Sequence, residues 1–127
     1  VNGDGTVKFV EPDTIADSIS VGIPRNRLMA VRDIKELNGF GVAVSDEEII
    51  KAIKYLGTVQ GIFAEPAGST AFAGMLKCLQ EGKISKKDKI VVLVTGNGLK
   101  DVESAKKAGG KALIIDPNLE AVKENLK

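Results

Sequence analysis

The 127-residue sequence contains no histidine and no tryptophan, and it has a single cysteine, Cys78. Without histidine the chain can form neither a Ser-His-Asp nor a Cys-His catalytic group, and it lacks the commonest zinc ligand, so we expect no metal site. One cysteine can form neither an intrachain disulfide nor a thiolate cluster, and the cytoplasm is therefore the expected compartment.

The chain also has almost no excess of charge of either sign, and few aromatic residues. The net charge is +1 and aromatic residues make up 4% of the chain. This composition gives no electrostatic attraction to nucleic acid or to an anionic membrane, and no base-stacking surface. No apolar run has membrane-spanning length, and we expect no signal peptide. The length and a hydrophobic content of 43% predict one globular unit over residues 1–127.

Short apolar segments alternate with helical patterns along the chain. Residues 90–94 form an unbroken apolar run, typical of a strand that is covered on both faces of a parallel sheet. Further strands are predicted at residues 40–44, 61–65 and 112–115. The alternation predicts an α/β fold with three layers, α/β/α, around a mostly parallel sheet.

The predicted helices have recognisable start signals and apolar faces. Ser45 and Glu48 predict a capping box, and Asp116 with Pro117 predicts the start of the last helix. One apolar face is expected in the helix after Pro24, formed by Leu28, Val31, Ile34 and Leu37. A helix over residues 69–81 is expected to point Phe72, Met75, Leu76 and Leu79 inward.

Two predicted strands end in polar residues, Glu65 and Thr95. Ligands of parallel α/β sheets bind outside the carboxyl ends of the strands. Gly96 and Gly98 flank Asn97 directly after Thr95, and such a loop can approach a flat ligand closely. Two interpretations would explain the same residues without a ligand: a plain strand-to-helix turn, and hydrogen bonds that the Glu65 carboxylate accepts from helix amides.

Four segments, in order along the chain, carry a family resemblance. They are Thr-Ile-Ala-Asp-Ser-Ile-Ser-Val-Gly-Ile-Pro at 14–24, Val-Ser-Asp-Glu-Glu-Ile at 44–49, Glu-Pro-Ala-Gly-Ser at 65–69 and Val-Thr-Gly-Asn-Gly-Leu-Lys-Asp at 94–101. Together they resemble the C-terminal part of threonine synthase, a fold-type II pyridoxal-phosphate enzyme. The resemblance implies the tryptophan synthase β-like fold and a lyase of threonine biosynthesis that converts O-phosphohomoserine and water to threonine and phosphate.

The resemblance also implies roles for five residues around pyridoxal phosphate. Thr95 would hydrogen-bond the pyridine nitrogen, while Gly96 and Asn97 would line the ring edge. Glu65 would lie near the ring, and Ala16 would lie close to one ring face. No catalytic residue is assigned to this chain, since the family's Schiff-base lysine belongs to a Ser-Phe-Lys-Asp type stretch that does not occur here.

The missing lysine stretch, and a missing Gly/Asn-rich phosphate loop, predict a C-terminal fragment that is inactive alone. Its expected partners are the N-terminal remainder of the enzyme and a phosphorylated amino-acid substrate, and the complete enzyme is expected to be a homo-oligomer. Related threonine/serine dehydratases share the Glu-Pro-Ala-Gly stretch and remain an alternative reaction. A stand-alone α/β module for a small ligand is a second alternative.

A third alternative rests on residues 2–11, which match positions 3 to 12 of an EF-hand calcium loop. The first ligand position has no counterpart, and Pro12 opposes an exiting helix. A Gly/Asp turn is therefore the favoured interpretation of this segment.

Overall fold

The computed structural model describes residues 6–125. Within that range the chain forms five α-helices: α1 (Arg27–Glu36), α2 (Asp46–Tyr55), α3 (Pro66–Gln80), α4 (Val102–Gly109) and α5 (Leu119–Asn125). Short 3₁₀ turns occupy Asp17–Ile19 and Gly98–Lys100, and a π turn at Leu56–Gln60 continues α2. None of the helices in this range is long and apolar enough to cross a membrane.

The four predicted strands are not observed, because residues 6–125 contain no β-strand. A single isolated antiparallel bridge, between Ala64 and Asn97, is the nearest feature to a ladder in this range. A strand needs a hydrogen-bonding neighbour, and segments 90–94 and 112–115 have none among the described residues. The predicted parallel sheet is therefore not formed by the described part of this chain.

The core lies where α2 packs against α3 and α4. Ile49, Ala52 and Ile53 of α2 are buried against Ala73 of α3 and Ala108 of α4. The predicted capping box at the start of α2 is confirmed, since the Ser45 amide donates to Glu48 Oε2 (2.7 Å) and the Glu48 amide donates to Ser45 Oγ (3.3 Å). A well-capped α2 thus supplies the central apolar face of the fold.

Helix α3 differs from its prediction in its start and in its buried face. It begins at Pro66, three residues before the predicted start, because proline suits a first helical position that needs no N–H donor. Its buried face consists of small residues, whereas the four larger side chains predicted to point inward are only half-buried. Small residues let the chain near Val42 approach α3 closely. A Cβ built at Gly74 would lie only 3.2 Å from Val42 Cγ1, which is a tight contact.

Two terminal helices also differ from expectation. The predicted apolar face of α1 is mostly exposed, and α1 contains no buried residue. The cap of α5 is Asn118 and not Asp116, since Asn118 Oδ1 accepts a hydrogen bond from the Ala121 amide (2.8 Å). Helix α5 likewise has no buried residue, so α1 and α5 lie outside the core.

Candidate functional site

The loop of residues 95–98 packs against the chain that leads into α3. The Glu65 amide donates to the Gly96 carbonyl (3.1 Å), and the Gly98 amide donates to the Phe63 carbonyl (3.0 Å). These two bonds form the bridge that sets Asn97 opposite Ala64. The two polar segments singled out in the sequence are therefore adjacent, although they are about thirty residues apart along the chain.

Three glycines permit this close approach. A Cβ built at Gly96 would overlap the Glu65 carboxylate, and one built at Gly98 would overlap the Phe63 ring. A Cβ at Gly68 would lie 2.7 Å from the Gly96 nitrogen, closer than real Cβ contacts allow. Contacts within the protein thus account for these glycines, and the approach of a flat ligand to the loop stays a prediction.

Glu65 is the buried charge of the site, with its side chain 7% exposed. Its Oε1 accepts a hydrogen bond from Lys100 Nζ at 3.0 Å, and its Oε2 accepts one from Ser18 Oγ at 3.3 Å. Lys100 Nζ also donates to Ser18 Oγ (3.1 Å), which closes a three-membered network. A buried carboxylate is strongly disfavoured without such partners, so the network explains how Glu65 can occupy this position.

Sequence reasoning did not find Lys100 and Ser18. Both lie inside segments that carry the family resemblance, but the contact with Glu65 spans 35 residues from Lys100 and 47 residues from Ser18. No local pattern encodes such a separation. One signal in the sequence could have indicated that such partners exist. Glu65 is expected at the mouth of a sheet, and a carboxylate that is buried there needs a cationic or hydroxyl partner.

Ala16 lies in a loop that α2 anchors. Thr14 Oγ1 donates to Asp46 Oδ1 (2.6 Å), and the Ile15 amide donates to Asp46 Oδ2 (3.2 Å). The Ala16 amide in turn donates to Thr14 Oγ1 (3.2 Å), and the Ala16 side chain is buried. Two residues later Ser18 contacts Glu65, so the structure brings Ala16 to the same region as Glu65 and Gly96.

A cavity of about 180 Å³ opens beside this network. It is lined by Ile15, Asp17, Ser18, Glu65, Pro66, Ala67, Lys100 and Asp101. Two hydrogen bonds from Ser104 hold the pKa of Asp101 below its ordinary value. The bond from the Ser104 side chain has the larger effect, and the bond from the Ser104 amide has the smaller. Asp101 therefore stays ionised as the cap of α4, where its Oδ1 accepts from the Ser104 amide at 2.9 Å.

Thr95 and Asn97 are the exposed members of the predicted set. Asn97 Oδ1 accepts a hydrogen bond from the Leu99 amide (2.9 Å), which caps the turn Gly98–Lys100. The Thr95 nitrogen lies 3.3 Å from the position of a Cβ built at Gly68, so Thr95 borders the first turn of α3. The structure thus brings four of the five residues to the start of α3, with Ala16 joined through Ser18.

The EF-hand alternative finds no support in the described part of the chain. Residues 2–5 of this chain lie outside the described residues, while Thr6 and Glu11 are exposed and lie in a segment without regular structure. Within residues 6–125, no three or more acidic, cysteine or histidine side chains are placed to hold a metal ion.

Comparison with known proteins defines the class. The family model "Pyridoxal-phosphate dependent enzyme" matches residues 3–96, and this chain belongs to that family. It is 39% identical over 121 residues to threonine synthase of Methanocaldococcus jannaschii (95% of this chain, 30% of that protein). It is 41% identical over 96 residues to threonine synthase of Mycobacterium tuberculosis strain H37Rv (76% of this chain, 27% of that protein).

A third relative, threonine synthase of a Bacillus species, strain ULM1, is 36% identical over 118 residues (92% of this chain, 34% of that protein). The predicted resemblance and the cofactor class are thereby confirmed. The chain spans about a third of the length of these relatives.

The residues at the start of α3 are compatible with one side of a pyridoxal-phosphate pocket. Thr95 presents an exposed side chain there. In the same turn Ser69 Oγ is buried, and it makes no hydrogen bond within residues 6–125. Buried hydroxyls normally have a hydrogen-bond partner, so this unpartnered group in the first turn of α3 is compatible with a polar ligand nearby. The individual roles of the five residues stay predictions.

Proposed function

We propose that this chain is the C-terminal part of a threonine-synthase-like lyase, which converts O-phosphohomoserine and water to L-threonine and phosphate. The supporting observation is that the four resembling segments are joined by side-chain hydrogen bonds. Asp46 holds Thr14, Ser18 contacts Glu65, and Lys100 contacts Glu65 from the fourth segment. A chain of bonds through all four segments is expected if they form one site.

In this proposal the chain supplies the pyridine-ring side of the pocket. Pyridoxal phosphate, when bound, acts as an electron sink for charge that develops on the substrate. Thr95 would hydrogen-bond the ring nitrogen, where a neutral hydroxyl leaves that nitrogen largely unprotonated. Gly96 and Asn97 would line the ring edge, Ala16 would pack beside one face, and Glu65 would lie near the ring.

The chain is proposed to be inactive alone and to need the lysine-bearing remainder of the enzyme. Segments 90–94 and 112–115 support this, because Val91 is 88% exposed and Ile114 is fully exposed. Contiguous exposed apolar surface marks an interaction site. We propose that the remainder pairs with these segments to complete a parallel, three-layer sheet, and that the complete enzyme is a homo-oligomer.

A chimera tests the proposal. The matching segment of M. jannaschii threonine synthase is replaced by this chain, and phosphate release from O-phosphohomoserine is measured with added pyridoxal phosphate. The chimera should turn over substrate, Thr95→Ala should lower the rate, and Thr95→Ser should preserve most of it. The isolated chain should show no turnover.

Two results would contradict the proposal. Robust phosphate release by the isolated chain would disprove its dependence on a remainder. A chimera that forms 2-oxobutanoate from threonine faster than it releases phosphate would assign the dehydratase reaction instead.

A further inference from the structure

Three segments of the chain meet at the carboxylate of Glu65. Lys100 ends the turn Gly98–Lys100, which directly continues the loop of residues 95–98. Ser18 belongs to the turn Asp17–Ile19, which lies next to Ala16. Glu65 itself directly precedes α3, whose first four residues are all buried. A single buried carboxylate therefore links both loops to the helix.

The orientation of this carboxylate matters to the loop. The Glu65 side chain fills the volume that a Cβ at Gly96 would need, while the Glu65 amide donates to the Gly96 carbonyl. Gly96 is thus in contact with Glu65 through both backbone and side chain. If the carboxylate turned away, Gly96 would lose its side-chain contact with Glu65. The hydrogen bond from the Gly98 amide to the Phe63 carbonyl beside it would then open more readily.

We propose that Lys100 and Ser18 are positioning residues, which hold the Glu65 carboxylate against Gly96 and thereby fix the loop of residues 95–98 on the start of α3. The Lys100 side chain is 58% exposed, so its own burial does little to offset the entropy lost when it is immobilised. The interaction with its buried partner, Glu65, offsets that loss instead. The consequence for catalysis rests on the proposed function, since Thr95 and Asn97 belong to the fixed loop.

Amide hydrogen exchange in the full 127-residue chain tests the proposal, with the Gly98 and Glu65 amides as reporters. Lys100→Met should speed their exchange about fivefold, because the lost ion pair is screened on the side of Lys100, whose side chain is 58% exposed. Lys100→Arg should restore slow exchange because the guanidinium keeps the charge and the donors. Ser18→Ala should give a smaller increase of about twofold, since a neutral donor is lost.

Lys106→Met is the matched control, because Lys106 pairs with Glu103 at 2.7 Å on an exposed helix surface. It should leave both reporter amides unchanged. The Ile53 amide in α2 monitors the whole fold and should exchange at the same rate in every variant. The proposal is overturned if Lys100→Met leaves the reporters unchanged, or if it speeds Ile53 by the same factor. An inactive chimera would count against the proposed function and would not alter these exchange rates.

Discussion

Helix α2, which packs against α3 and α4, and the apolar segments 90–94 and 112–115 all contain isoleucine, but in different environments. Ile49 in α2 is 2% exposed, whereas Val91 and Ile114 are almost fully exposed. Isoleucine occurs in α2 and in both segments, so residue type alone does not decide which side chains are buried. The difference is that α2 packs against α3 and α4, while the two segments form no strand pairing within residues 6–125.

This difference shows which interactions are local. A helix satisfies its interior backbone groups itself, and local caps satisfy part of its ends, so it needs a packing partner only for its apolar stripe. A strand needs a neighbour for its backbone as well. We therefore expect the packed region to contribute most of the stability of the described chain, and the exposed side chains of the two segments to contribute little. The following changes test that division.

The largest effect is expected from Ile49→Ala. Removing a fully buried side chain between α2 and its neighbours should lower the free energy of unfolding by about 2–5 kcal/mol, because it removes apolar contact and leaves a cavity. Val91→Ala, the matched change in an exposed segment, should alter it by no more than about 0.5 kcal/mol. Urea denaturation followed by circular dichroism measures both. Equal losses would mean that segment 90–94 is packed in solution.

The next effect concerns the contact between the loop and α3. Gly96→Ala should lower the free energy of unfolding by about 1–3 kcal/mol, since its Cβ would displace the Glu65 carboxylate. Gly57→Ala is the control, because a Cβ there meets nothing within 4 Å. That control should be neutral or slightly stabilising. If both variants unfolded at the same urea concentration, the loop would not be packed against Glu65 as described.

Sequence alone predicted features whose cause is local. The capping box of Ser45 and Glu48 follows from residue types three positions apart, and the family resemblance follows from four short segments. Sequence did not predict that small residues form the buried face of α3, because burial depends on which elements pack there. It also missed the partners of Glu65, since Ser18 and Lys100 reach it across long separations.

A smaller effect should separate the caps of a packed and an exposed helix. Ser45→Ala removes the acceptor of the Glu48 amide and should lower the free energy of unfolding by about 1 kcal/mol. Asn118→Ala removes the equivalent acceptor of the Ala121 amide in α5. Because α5 contains no buried residue, this change should fray α5 without shifting global unfolding. Equal shifts in the urea midpoint would show that α5 contributes to the core.

The smallest effect concerns the charge that caps α4, another helix of the packed region. The folded-state pKa of Asp101 is lowered by hydrogen bonds from Ser104, so the ionised group contributes stability above its unfolded pKa. That contribution is lost as the pH falls through the folded pKa, below about pH 4. Asp101→Asn keeps a capping oxygen without the titration, so wild type should be slightly more stable than the variant at pH 7. The difference in urea midpoint should shrink by pH 3, whereas a difference independent of pH would show that the amide cap itself, and not the charge, sets the stability of α4.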